Sequence, residues 1–198
     1  MAAAPDPPGE NAGPAPDRTV LYVGRFEARK GTDCLLAAIP KVLASQPDCR
    51  FVLAGGAGET AERSREEFQR RNPALIDHVR FLGLVTEAEL DDLYRRCDFF
   101  VSPALYESFG MTYVEAMRHG RPVIGCQGSG SAEVIGDAGL IVAPNDADDL
   151  ARAIVRLWTD RALHRELAAN ARRRAEYFSM EKKIERTERA YEELMKSG

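Results

Sequence analysis

Two glutamates, Glu107 and Glu115, flank seven residues in the stretch LYESFGMTYVEAMRHGRPVI, residues 105–124. Between them, Ser108-Phe109-Gly110 is poor helix, whereas residues 111–119 form helix readily and Gly120 with Pro122 ends it. Apolar, strand-like runs lie on either side, CDFFVSP before and RPVIGC after. Glu107 is therefore expected at the carboxyl end of a strand, beside a helix N-terminus, with Glu115 about one turn inside that helix. An open α/β sheet binds its ligand at this edge, and the N–H groups of a helix N-terminus attract phosphate. Carboxylates suit hydroxyls better than phosphates. Two of them around a phosphate site point to a sugar joined to a nucleotide.

A second set of candidate groups occupies GRFEARKG, residues 24–31, directly after the first apolar run. Gly24 and Gly31 permit a tight backbone, and Arg25 and Lys30 are placed at the same edge of the sheet. Arginine can clasp a diphosphate with a fork of two hydrogen bonds, and lysine adds a mobile point charge. The plainer alternatives are solvated loop cations for these two and a solvated loop acid for Glu107. For Glu115 the alternative is a helix-surface pair with Arg118 or His119, worth only about 0.2–0.5 kcal/mol.

The elements that must hold these groups follow from hydrophobic periodicity. Strands are expected at residues 19–24, 50–56, 78–83, 97–102, 122–126 and 140–143. Helices are expected at 32–45, 60–71, 87–96, 111–119, 131–135 and 150–158, and two more close the chain. Near-continuous apolar strands alternating with helices imply a parallel sheet covered on both faces. The expected fold class is α/β: a single Rossmann-like domain over residues 18–198. Residues 1–17, rich in Ala and Pro, read as a disordered leader or linker. Trp158 shares an apolar stripe with Leu150, Ala153, Ile154 and Leu157 and belongs to the core. In the last helix, Ser179 is a candidate N-cap, and Met180, Ile184, Tyr191 and Leu194 form a stripe. If uncovered, that stripe favours weak self-association.

Composition narrows the function. A net charge of -4 and a pI near 5.5 argue against nucleic acid as an electrostatic partner. No apolar run reaches membrane-spanning length, and the leader lacks a signal peptide's basic start and apolar core. A cytoplasmic location is expected, or one peripheral to the membrane in a full-length enzyme. Cys34, Cys49, Cys97 and Cys126 lack metal-type spacing and read as buried free thiols. His78, His119 and His164 are scattered, so no metal site is expected. Asp146-Ala147-Asp148 resembles a metal-binding D-x-D but precedes a helix, where Asp146 would cap. The run from Gly56 to Ala61 matches the dinucleotide pattern G-x-G-x-x-A, yet the next strand ends in Leu84-Val85 rather than in the acid a ribose needs. A nicotinamide-dependent oxidoreductase is the alternative that this motif leaves open.

Four motifs in order, GRFEARKG, FVLAGGAG, the long run from VRFLGLVTEAEL through ESFGMTYVEAMRHGRPVI, and GSAEVIGDAGLIVAP, together resemble family 4 of the retaining glycosyltransferases. The likeness covers residue 18 onward and is to the carboxyl-terminal, donor-binding half of the GT-B fold. It implies catalytic duties for Arg25 and Lys30, which would neutralise a departing diphosphate, and for Glu107, which would hold hydroxyls of the donor sugar. It implies donor contacts for Gly24, Ser108, Phe109, Gly110, Met111 and Thr112, ribose binding by Glu115, and a base packed near Leu84 and Val85. No cofactor and no metal are implied, since the nucleotide sugar, with UDP or GDP as its carrier, is a substrate. The acceptor would bind an amino-terminal domain, in the same gene or on a separate chain. The chain is then expected to bind donor without transferring it alone, as a fragment of a longer enzyme. The alternative within this resemblance is a non-catalytic nucleotide-sugar-binding module or one subunit of a split enzyme.

Overall fold

The computed structural model describes residues 18–56, 58–128 and 130–179, and residues 181, 182, 184, 187–189, 191 and 195. The leader, Ala57, Ser129 and, of the terminal stripe, Met180 and Leu194 lie outside the described residues. Of the same stripe, Ile184 and Tyr191 are exposed. Ser179 does accept a hydrogen bond from the Lys182 N–H at 3.2 Å, as an N-cap should.

Six strands, β1 (Thr19–Val23), β2 (Arg50–Ala54), β3 (Val79–Gly83), β4 (Phe99–Val101), β5 (Val123–Cys126) and β6 (Gly139–Val142), make one sheet in the order β3-β2-β1-β4-β5-β6. Every pairing between neighbouring strands is parallel. The helices are α1 (Thr32–Ser45), α2 (Glu59–Arg71), α3 (Glu87–Arg96), α4 (Met111–Arg118), α5 (Ser131–Ile135), α6 (Ala147–Thr159) and α7 (Arg161–Tyr177). This strand order reverses direction between β1 and β4. In a doubly wound sheet such a reversal opens a crevice at the carboxyl ends of the two strands.

Alternation along the strands builds two cores, one on each face of the sheet. Val20 and Tyr22, Phe51 and Leu53, and Phe99 and Val101 pack against α1 and α6. Leu21, Val52 and Phe100 point the other way, toward α3, α4 and α7. Trp158 is 2% exposed, its ring 4.8 Å from Phe99, with the Arg18 guanidinium 4.8 Å above it. Asp146 caps α6 by accepting from the N–H groups of Asp148 and Asp149, at 3.0 and 2.8 Å, and Asp148 pairs with Lys41. All four cysteines are free and buried.

Three short 3-10 turns, Ala28–Lys30, Pro73–His78 and Gly136–Ala138, replace what the periodicity leaves as plain loop. They are too short to carry a hydrophobic period. The fourth strand is shorter than its apolar run: it starts at Phe99, after Asp98, whose main-chain N–H donates to the Thr19 carbonyl and whose carboxylate accepts the Thr19 N–H, both at 2.9 Å.

Trp158→Ala should remove about 3–5 kcal/mol of stability, as loss of a buried aromatic does. Urea denaturation checks this, and a loss below about 1 kcal/mol would place Trp158 outside the core that α6 shares with the sheet.

Candidate functional site

The loop after β1 and the loop after β4 meet at the reversal of the sheet. Glycine makes the meeting possible. Gly31 has φ +68°, and a Cβ there would lie 2.0 Å from the Pro103 carbonyl oxygen, so only glycine lets the two segments approach so closely. The carbonyl of Arg29 then accepts the Leu105 N–H at 2.8 Å. Beside this seam the Lys30 ammonium lies 2.5 Å from a Glu107 carboxylate oxygen, with both side chains mostly shielded from water. Tyr22 supports the β1 side from below, its hydroxyl bonded to Thr32 Oγ1 at 2.9 Å and to the Arg25 carbonyl at 3.0 Å. Burial raises that phenol to about 12, against the lowering effect of the Thr32 hydrogen bond, so it stays a protonated donor.

The N-terminus of α4 opens onto the same place. Gly110 precedes the helix with φ +86°, and a Cβ would strike the Tyr113 ring at 2.5 Å. No side chain caps this end. Among the described residues, the N–H groups of Gly110, Met111 and Thr112 have no protein acceptor. An uncapped helix start with three free donors and the positive end of its dipole suits an anion. Tyr113 holds the first turn from beneath, its hydroxyl donating to the Ser102 carbonyl, while burial pushes the phenol up to about 12. The carbonyl of Glu107 receives the Gly130 N–H at 3.1 Å, which ties the loop to the start of α5.

The other candidate residues fall around this centre. Arg25 is exposed and pairs with Glu27 at 3.0 Å, Glu27 in turn being shared with Arg29. It is on the β1 loop with Lys30 but takes no part in the Glu107 pair. Gly24 donates its N–H to the Ala54 carbonyl at 3.0 Å, and Ser108 and Phe109 lie in the loop between Glu107 and the helix. Phe109 packs edge-on against Phe178 just past α7, ring centroids 5.5 Å apart. Leu84 is exposed, Val85 is half-buried, and Leu84 with Phe26, Gly56 and Gly58 lines a cavity of about 280 Å³ at the ends of β2 and β3.

Glu115 pairs with neither Arg118 nor His119. Its carboxylate accepts the Tyr94 hydroxyl at 2.9 Å and borders a cavity of about 510 Å³ between α3 and α4. His119 instead approaches Asp91 at 3.0 Å; burial lowers its pKa, and Asp91 opposes that shift without overcoming it. Tyr94, the partner of Glu115, is not among the residues that the sequence marks as a candidate. Its only signal was a place on the apolar face of α3, which reads as plain core.

A family model described as "Glycosyl transferases group 1" matches residues 8–174. This chain belongs to the group 1 glycosyltransferases. A phosphatidyl-myo-inositol mannosyltransferase from Mycolicibacterium smegmatis is 34% identical over 202 residues, which take in 100% of this chain and 51% of that protein. Among solved structures, the C-terminal domain of the group 1 glycosyltransferase LpcC from Francisella tularensis is 25% identical with a TM-score of 0.72, covering 80% of this chain and 85% of that one. Anabaena HepE in complex with UDP and glucose is 26% identical with a TM-score of 0.71, covering 80% of this chain and 43% of that one. The chain spans about half the length of the curated relative it matches. The Rossmann-like domain is therefore the C-terminal domain of the GT-B fold.

If Lys30 and Glu107 form one unit, Lys30→Met and Glu107→Gln should each cost about 1–3 kcal/mol by stranding a shielded polar partner. The double variant should cost less than the sum of the two. Urea unfolding of all four proteins checks this, and strictly additive losses would mean that the two groups do not act on each other.

Proposed function

We propose that this domain binds a nucleoside diphosphate sugar and presents it for retaining glycosyl transfer, without a metal ion, to an acceptor held by a further domain. The observation that carries the reading is the convergence, at the sheet's reversal, of an uncapped helix N-terminus with Lys30 and Glu107. Each suits a different part of one ligand. The N–H groups of Gly110 to Thr112 suit a diphosphate, with Lys30 and Arg25 as cations beside it. Glu107 suits the sugar's hydroxyls, and Glu115, one turn into α4, suits those of the ribose. The exposed apolar surface of Leu84, next to Val85, suits a base. Anabaena HepE, solved with UDP and glucose, supports a nucleotide-sugar donor for this chain.

The chemistry follows from where charge develops. Breaking the bond between the sugar's anomeric carbon and the diphosphate leaves negative charge on the departing oxygen. Fixed donors aimed at that charge contribute about 3–4 kcal/mol each in well-studied enzymes. Here the helix start and two cations supply them, which is why no metal is invoked. Lys30 has a double duty. In the free protein it neutralises Glu107, and it is within reach of a phosphate once the sugar's hydroxyls occupy the carboxylate. The relative from M. smegmatis is about twice as long as this chain, which supports an acceptor-holding domain in addition to this one.

Calorimetric titration with UDP, GDP and ADP in the presence of EDTA should show saturable binding of one nucleotide. Arg25→Ala or Lys30→Ala should weaken it roughly 10- to 100-fold. Glu107→Ala should spare the free nucleotide but impair recognition of its sugar-linked form. Equal affinities in wild type and all three folded variants would sink the site, and binding of NAD in place of any nucleoside diphosphate would turn the reading toward an oxidoreductase.

A further inference from the structure

Glu115 is held by one oxygen only. Its Oε2 accepts the Tyr94 hydroxyl at 2.9 Å, and among the described residues Oε1 has no partner. The donor is tightly packed. Tyr94 is 2% exposed, its ring lies 5.9 Å from Phe100, and it is stacked nearly parallel on His119 at 6.1 Å, with His119 anchored to Asp91. The Tyr94 main chain is fixed as well, because its carbonyl accepts from Arg121 Nε at 3.1 Å. A glutamate on a helix has three torsions to fix, and a partly exposed one ordinarily samples several rotamers. Here a buried hydroxyl selects one of them and leaves the second oxygen open beside the cavity between α3 and α4.

We propose that Tyr94 is a positioning residue: it aims the free oxygen of Glu115 at the ribose and so sets how strongly the site prefers a nucleotide with ribose hydroxyls over one without. This rests on Glu115 being the ribose-binding group. The hydroxyl is well suited to the task, since burial and the neighbouring Glu115 charge keep it protonated far above the usual phenol range. It can only donate to the carboxylate, and the carboxylate can only accept. The remaining oxygen is then presented as an acceptor, which is what a ribose diol requires.

Tyr94→Phe tests this while preserving the ring packing. Wild type, Tyr94→Phe, Glu115→Gln and the double variant are titrated with UDP, GDP and ADP, each beside its 2′,3′-dideoxy counterpart, with thermal melting as the check on folding. For the nucleotide that binds, Tyr94→Phe should weaken the ribose-bearing form roughly 3- to 10-fold and leave the dideoxy form unchanged. In the Glu115→Gln background the same change should have no further effect. A ratio of ribo to dideoxy affinity that survives Tyr94→Phe but collapses in Glu115→Gln overturns the positioning role and leaves the ribose reading standing. A ratio that also survives Glu115→Gln, or wild type that binds none of the nucleotides, overturns the ribose reading and the inference together. Equal weakening of both forms by Tyr94→Phe would reduce Tyr94 to a packing residue and overturn the proposal.

Discussion

Everything in the candidate site depends on the contact between the loop after β1 and the loop after β4. These loops follow neighbouring parallel strands and lead into helices on opposite faces of the sheet, so nothing in the chain's local course brings them together. Among the interactions that do are three: the Gly31 backbone lying against Pro103, the Leu105 N–H on the Arg29 carbonyl, and the Lys30–Glu107 pair. The first is steric and admits no side chain. The second sets the height of one loop against the other. The third places opposite charges at the mouth of the crevice, in a setting dry enough for them to matter but open enough for a ligand to compete.

The same seam explains why the start of α4 can be left uncapped. A helix N-terminus normally finds a Ser, Thr, Asp or Asn to accept its first N–H groups. The chain uses such caps elsewhere, Thr86 on α3, Asp146 on α6 and Asp160 on α7. At α4 it places Gly110 instead, in a left-handed conformation, and secures the first turn from below through Tyr113. α1, α2 and α5 likewise start at a glycine with no side-chain cap, so what sets α4 apart is its place at the sheet's reversal, beside Lys30 and Glu107.

Much of this was legible in the sequence, and the reason is physical. Strand and helix periods differ, so six alternations of the two implied the parallel sheet, and all six strands appear within a few residues of their expected places. The placement of Glu107 in the loop before α4 and Glu115 one turn inside it followed from helix-breaking Ser108 to Gly110. The cap role of Asp146 followed from its place before a helix. Pairings between side chains distant in sequence were not legible. Lys30 and Glu107 were each assigned to the same edge, but their direct contact depends on a backbone approach that no periodicity encodes. Arg25 shows the same limit from the other side, being turned to Glu27 by a neighbour two residues away. Tyr94 was hidden because its ring obeys the core pattern while its hydroxyl does not.

On the proposed function, the diphosphate of a nucleotide sits on the N-terminus of α4. A crystal structure of this chain grown with a nucleoside diphosphate tests it most directly. Phosphate oxygens are expected at about 3 Å from the N–H groups at the start of α4, as hydrogen bonds require, with the Lys30 ammonium beside them. A diphosphate bound instead at the glycine-rich turn before α2, against Gly56 and Gly58, would contradict it and restore the dinucleotide pattern as the working site.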